Sequence, residues 1–307
     1  MPTTTYRYRL QPYKGPASRH QCPQCNQPRT FSLYIDTTTG QTLHPTIGRC
    51  NRMVNCGYHY KPKQYFAEFG PLTDQGPRIN IPVQGKPIPT SFMDETLVTQ
   101  SMQHPERNNL VMFMADYFSA IHAEQLVTRY RIGRSNHWPG ATIFWQTDMQ
   151  GRTHAGKIML YNRHTGKRVK EPFNHITWAH KVMELPQYNT QQCLFGLHLL
   201  RNNHQPVAIV ESEKTALIAS LFYPSFTWLA CGGLTNLNAQ TLQPLKGRKI
   251  ILVPDLNGYQ TWQQKAQTLN HITPMQVTDF LQNLALDTDK QQGYDLADYL
   301  VGREGFI

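Results

Sequence analysis

Two short apolar runs each end in an acidic residue. PVAIV, residues 206–210, leads into Glu211-Ser212-Glu213-Lys214, and KIILV, residues 249–253, leads into Pro254-Asp255-Leu256-Asn257-Gly258. Runs of this length flanked by turn residues fit buried strands, and the segments that follow, TALIASLF and 261–269, have helical spacing. In an open parallel α/β sheet, ligands bind at the carboxyl edge of the strands. Glu211 and Asp255 can therefore meet at one place although 44 positions separate them. Two acids gathered at such an edge could bind a ligand together. Between the two runs, 226–229 gives a third strand running into Cys231-Gly232-Gly233, where glycine permits close backbone approach.

A second chemical signature lies near the N-terminus. Four of the six cysteines fall in one window, as Cys22-Pro23-Gln24-Cys25 and then Cys50 and Cys56, while Cys193 and Cys231 stand apart as small buried hydrophobes. A C-x2-C turn lets two sulfurs approach one ion, and zinc needs four thiolate or imidazole ligands in a tetrahedron. Phe31, Leu33 and Ile35 alternate with polar residues, 37–40 makes a turn, and 43–47 returns as a second strand. A hairpin with a cysteine pair at each end is a zinc ribbon, and so small a segment would draw much of its folding energy from the metal. The second pair is spaced C-x5-C, wider than usual, which leaves His59 or His44 as a substitute for one cysteine. Around the ligands Arg29, Arg49, Arg52, His59, Lys61 and Lys63 alternate with Phe31, Tyr34, Tyr58, Tyr60 and Tyr65. Cations for phosphates and rings for bases make a single-strand-binding surface, while the rings serve equally as cover for a thin hairpin.

The elements that must position these groups follow from pattern. Pro71, Pro77, Pro82, Pro87 and Pro89 oppose regular structure and mark a linker. A helical apolar run covers 108–118 and continues over 120–127. Short strands then alternate with turns, 142–145, 157–161 and from 167 onward, as an antiparallel meander. Arg152, His154, Lys157, Arg163, His164, Lys167, Arg168 and Lys170 flank this meander almost without acids. With a formal charge of +10, such a face suits a polyanionic partner. No stretch approaches a membrane span, and 1–20 lacks the apolar run of a signal peptide. A cytoplasmic location is expected, which makes disulfides an unsuitable explanation for the cysteines.

VAIVESEKTAL around Glu211, and IILVPDLNG around Asp255 and Asn257, resemble the toprim domain of bacterial primases, topoisomerases and several nucleases. In that family a glutamate follows the first strand and an Asp-x-Asp the third, both holding magnesium. The segment from Gly293 through Tyr294, Asp295 and Asp298 is similar to the closing segment of primase-like toprim proteins of mobile elements. GKIMLYNRHTGKR, from Gly156, resembles the basic half of a primase core, and the cysteine window a primase-type zinc ribbon.

The resemblance implies an α+β and α/β chain in four parts. These are a zinc-ribbon nucleic-acid-binding module with a basic arm at 1–66, a Pro-rich linker at 67–100, a basic mixed α/β primase-core-like region at 101–205, and a toprim, Rossmann-like parallel sheet at 206–307. It implies primer synthesis on single-stranded DNA from nucleoside triphosphates, with structural zinc on Cys22, Cys25, Cys50 and Cys56 and catalytic magnesium on Glu211 and Asp255. Glu211 would be ligand or general base, Asp255 the main ligand and Asn257 a neutral one. Arg152, Lys157, Lys167, Arg168 and Lys214 would clamp template or triphosphate. A bacterial setting, and a helicase or other replication or mobilisation protein as partner, come with the resemblance. The chain departs from the pattern at Asn257, which replaces the second acid, and at Thr215, where many primases carry another aspartate. Glu213, Asp295 and Asp298 could compensate, although capping or solvation is the default role of such residues. The loss of charge leaves two competitors open. One is a toprim nuclease, in which water replaces the hydroxyl; the other is a DNA-binding accessory protein that keeps the fold as scaffold.

Overall fold

A computed structural model describes residues 7–52, 56–70, 89–185, 188–292 and 294–302. The features expected at Pro71, Pro77, Pro82, Pro87 and Gly293 lie outside the described residues. The chain divides into two compact units, Met1–Pro87 and Ile88–Ile307. No described helix is long and apolar enough to cross a membrane.

The first unit is an antiparallel sheet of β1 (Tyr8–Leu10), β2 (Phe31–Asp36), β3 (Gly48–Cys50) and β4 (His59–Tyr60), in that order, followed by helix α1 (Pro62–Phe69). β2 forms where the alternating apolar residues anticipate it. The return strand, however, is 48–50 rather than 43–47. Pro45 has no N–H to give to a ladder, and the His44 ring accepts the Thr46 N–H at 3.3 Å while the Ile47 N–H reaches the His44 carbonyl. Residues 44–47 therefore close a turn, and pairing with β2 becomes regular only at Gly48, opposite Leu33.

The second unit opens with helices α2 (Glu95–Ser101), α3 (Asn109–Tyr117) and α4 (Ala120–Tyr130). The antiparallel sheet β5 (Ile132–Ser135), β6 (Ala141–Thr147), β7 (Thr153–Met159) and β8 (Ile176–Trp178) follows in sequential order, with α5 (Ala179–Val182) after it. Asn108 joins helix to sheet. Its buried side chain caps α3 by accepting the Leu110 and Val111 N–H groups, accepts the Thr142 hydroxyl at 2.7 Å, and donates to the Gly133 carbonyl at 3.0 Å.

The chain then alternates β9 (Val207–Val210), α6 (Glu213–Phe222), β10 (Thr227–Ala230), α7 (Ala239–Leu242), β11 (Ile250–Leu252), α8 (Tyr259–Leu269) and β12 (Met275–Val277), and ends in α9 (Phe280–Leu284), α10 (Asp287–Gln292) and α11 (Leu296–Gly302). The four strands form a parallel sheet in the order β10-β9-β11-β12. Both its faces are covered, which is why its strands are uniformly apolar. Val207 and Ile209 point into a core with Leu252 and Trp262, whereas Ala208 and Val210 point into another with Leu126, Phe144, Met159 and Leu217. That second core is continuous between the antiparallel and parallel sheets, so β7 and the ends of β9 and β11 are held together by shared packing.

Candidate metal centres and the acidic cavity

The parallel sheet explains where the acids go. From β9 the chain moves to one neighbour, β10, and later to the other, β11, so the strand order reverses between β9 and β11 and leaves a crevice at their carboxyl ends. Glu211 directly follows β9, and Asp255 lies three residues beyond β11. A cavity of about 670 Å³ opens there. Five acids line it, Glu211, Glu213, Asp255, Asp295 and Asp298, and so do five cations, Lys157, Lys167, Arg168, Lys170 and Lys214.

These charges are not all free. Glu213, 1% exposed, is held by both carboxylate oxygens on the Lys157 ammonium at 3.1 Å, and the ammonium also donates to the Gly232 carbonyl at 3.3 Å. Gly232 has φ of +69°, and a Cβ there would lie 2.9 Å from the Glu213 carboxylate, so a side chain is excluded on both counts. Lys214 pairs with Asp298 at 3.2 Å. Asp295 accepts the Thr215 hydroxyl at 2.7 Å and the Asp298 N–H at 2.8 Å, which makes it the cap of α11 as well as part of the wall. In contrast, the carboxylates of Glu211 and Asp255 accept no hydrogen bond and join no ion pair among the described residues.

Burial pushes the Glu211 carboxyl above its ordinary value. Asp255 is pushed up to about 8, first by burial and then by repulsion from Asp295, Glu211 and Asp298. Two unpartnered, charge-crowded carboxyls on adjacent strand ends have the donor chemistry of a magnesium site: hard oxygens, uncommitted to protein donors, in a field that a divalent cation would relieve.

The other expected site residues separate. Lys157, Lys167, Arg168 and Lys214 line the cavity. Arg152 does not, because it is paired with Asp148 at 2.8 Å and lies over the Phe92 ring at 4.7 Å. His154 also leaves the basic face, its two ring nitrogens meeting Asp148 and the Gln191 carbonyl. Asn257 is exposed, adopts φ of +68°, and spends its amide on the Lys290 carbonyl at 2.7 Å. Wall residues not singled out from sequence include Met159, Tyr161 and Ser212. Period-two alternation from Lys157 carries the signal for Met159 and Tyr161, which share its face of β7 and its continuation.

In the first unit the sulfurs of Cys22, Cys25, Cys50 and Cys56 all lie within 4.8 Å of one another. Cys22–Cys56 are 3.7 Å apart and Cys25–Cys50 3.9 Å. A zinc tetrahedron with Zn–S of ~2.3 Å has S···S edges of about 3.8 Å, so the four thiols fit structural zinc. Burial raises Cys56 to about 12, while a backbone hydrogen bond at Gln27 lowers Cys25 to about 6. The histidines are excluded from this cluster, since His59 bonds the Tyr34 hydroxyl at 3.0 Å and His44 serves the Thr46 turn. Phe31 and Tyr65 are buried, leaving them no free face for a base; Phe31 packs over the cysteines because the ribbon has little other core.

Comparison with known proteins gives two family matches. A zinc beta-ribbon finger model covers residues 6–70, and a domain of unknown function, DUF6371, covers 108–256, a span that contains both Glu211 and Asp255. No curated protein matches the chain. Among solved structures, the primase fragment of the bacteriophage T7 primase-helicase protein is 15% identical with a TM-score of 0.38, over 85% of this chain and 89% of that one. The E. coli primase catalytic core is 12% identical with a TM-score of 0.41, over 67% of this chain and 81% of that one. The primase of Aquifex aeolicus, zinc-binding and RNA polymerase domains, is 11% identical with a TM-score of 0.35, over 62% and 47%. At these scores the likenesses carry no functional weight, which rests on the cavity. The first unit is a four-cysteine zinc ribbon, and the C-terminal parallel sheet with its helices is toprim-like.

Proposed function

We propose that the chain is a primase-type nucleotidyltransferase, joining nucleotides from nucleoside triphosphates on a single-stranded DNA template, with Glu211 and Asp255 as its magnesium-holding carboxylates. One observation carries this reading. At the crevice between β9 and β11 two carboxylates without protein partners share a cavity with Lys167, Arg168 and Lys170, which themselves make no ion pair among the described residues. Arg168 lies near enough to both carboxyls to favour their charged forms, yet no ion pair closes among the described residues, which leaves the carboxylates open to a metal and the cations open to phosphates. Bound magnesium would supply charge neutralisation on the reacting phosphates.

The chain's own residues divide the remaining work. In this reading Glu211 and Asp255 supply metal oxygens, and Glu211, the less crowded of the two, is the candidate to accept a proton from the attacking hydroxyl. Lys167, Arg168 and Lys170 hold triphosphate or template backbone. Lys157 and Lys214, already neutralised by Glu213 and Asp298, act as positioning residues that set the walls of the cavity. Asp295, across from Asp255, takes over the charge that an acid at position 257 would have brought. Boundaries at 66, 100 and 205, a DNA-binding task for the ribbon, and a helicase or other replication or mobilisation partner belong to this reading.

A second reading draws on Asn257. Its amide is committed to the Lys290 carbonyl, which favours a DNA-binding accessory protein in which the fold serves as scaffold. Incorporation of labelled ribonucleotides on single-stranded DNA with magnesium or manganese separates the two. Template-dependent products that disappear in both Glu211→Gln and Asp255→Asn support the transferase. No product from zinc-loaded, template-binding protein overturns it, and strand cleavage without added nucleotides would assign water as the nucleophile.

A further inference from the structure

The free edge of the antiparallel sheet carries an apolar shelf that serves no core. β8 is the outermost strand, and its register sets Ile176 opposite Met159 and Trp178 opposite Lys157. Cross-strand partners project from the same face. Lys157 and Met159 both line the acidic cavity, so Ile176 and Trp178 lie on that face, one strand spacing or about 5 Å further out. Ile176 is 39% exposed. Trp178 is half-buried, belongs to none of the hydrophobic clusters that hold the other four tryptophans, and donates its indole N–H to no described residue. Its ring lies 6.4 Å from that of His180 and otherwise joins none of the described cores. The same continuous segment brings Lys167, Arg168 and Lys170 to the cavity wall immediately before β8.

We propose that Trp178, flanked by Ile176, is a stacking shelf for an unpaired base of single-stranded nucleic acid whose phosphates run past Lys167, Arg168 and Lys170 into the acidic cavity. Every base has a π-face and every nucleotide a phosphate, so rings beside uncommitted cations recognise single strands with little regard to sequence. Charge selects this occupant over an apolar peptide: the segment 163–170 carries three cations free of described ion pairs and no acid. The shelf deepens the transferase reading by naming where the template lies, and it rests on that reading for the direction of the strand.

The test is binding of fluorescently labelled oligothymidylate to the full, zinc-loaded chain in EDTA, read by anisotropy across a salt series. Trp178→Ala should weaken binding about tenfold with an unchanged salt slope, whereas Trp178→Phe should stay within about threefold of wild type. Lys167→Ala with Arg168→Ala should flatten the slope. Equal binding by wild type and Trp178→Ala would overturn the shelf. Equal loss in Trp178→Phe and Trp178→Ala would also overturn it, by marking a structural role, as would duplex binding as tight as single-strand binding. Magnesium is absent from this assay, so binding is read apart from catalysis. Trp178-dependent binding by a chain that makes no product therefore leaves the shelf standing and removes only the transferase.

Discussion

Replacing Asp255 by asparagine should stabilise the metal-free protein at alkaline pH. In the folded chain the Asp255 carboxyl sits at about 8, against an ordinary 3.8, because it is buried and faces Asp295, Glu211 and Asp298. Between those values the native state holds one proton more than the unfolded state, so stability falls as pH rises, by about 1.4 kcal/mol per pH unit. From about pH 6 to about pH 8 wild type should lose on the order of 2 kcal/mol, the slope falling off near the folded value, equivalent to roughly 4–9 °C in the melting temperature of a unit of this size. Asp255→Asn keeps the shape and removes the titration, so its profile should be nearly flat over that window. Magnesium, binding only the native carboxylates, should restore much of the alkaline loss in wild type and nothing in the variant. Thermal unfolding in EDTA and in magnesium at the two pH values checks all of this. Parallel pH profiles for wild type and variant would refute the inference that Asp255 is a crowded, unpartnered carboxyl.

The Lys157–Glu213 pair, almost fully buried, should behave as a unit. Lys157→Met should cost about 3–5 kcal/mol by stranding a buried carboxylate, and Glu213→Gln in the same chain should recover much of it, as a denaturant double-mutant cycle would register. Chelation of zinc should unfold the ribbon, since apparent zinc binding contributes on the order of 10 kcal/mol to modules of this size. Protease sensitivity confined to residues before 71 should follow, and Cys22→Ser should reproduce it without chelator. A His59→Ala or His44→Ala chain should keep its zinc, because neither ring belongs to the sulfur cluster.

Much of this architecture is legible in the residues because the signals are local. PVAIV and KIILV declare buried parallel strands, and a run such as TALIASLF declares the helix that must cross back. The two cysteine knuckles announce a metal whatever the rest of the ribbon does. Other features depend on distant partners. Nothing near Glu213 reveals that Lys157, 56 positions away, neutralises it, and nothing near Asn257 reveals that the Lys290 carbonyl takes its amide. Arg152 and His154 belong to the basic run by composition, yet Asp148 draws both away from the cavity. The early turn at Pro45 follows from a missing N–H, a signal present in the sequence but outweighed there by the apolar alternation around it.

The central claim is that Glu211 and Asp255 together hold one divalent cation, and manganese binding by electron paramagnetic resonance tests it most directly. Titrated into the zinc-loaded full chain above about pH 8, where Asp255 is ionised, manganese should lose its free-ion signal in proportion to protein, to about one ion per chain. Glu211→Gln and Asp255→Asn should each abolish most of that loss. Wild type and both variants binding the same amount of manganese would contradict the claim and leave the acidic cavity without its metal.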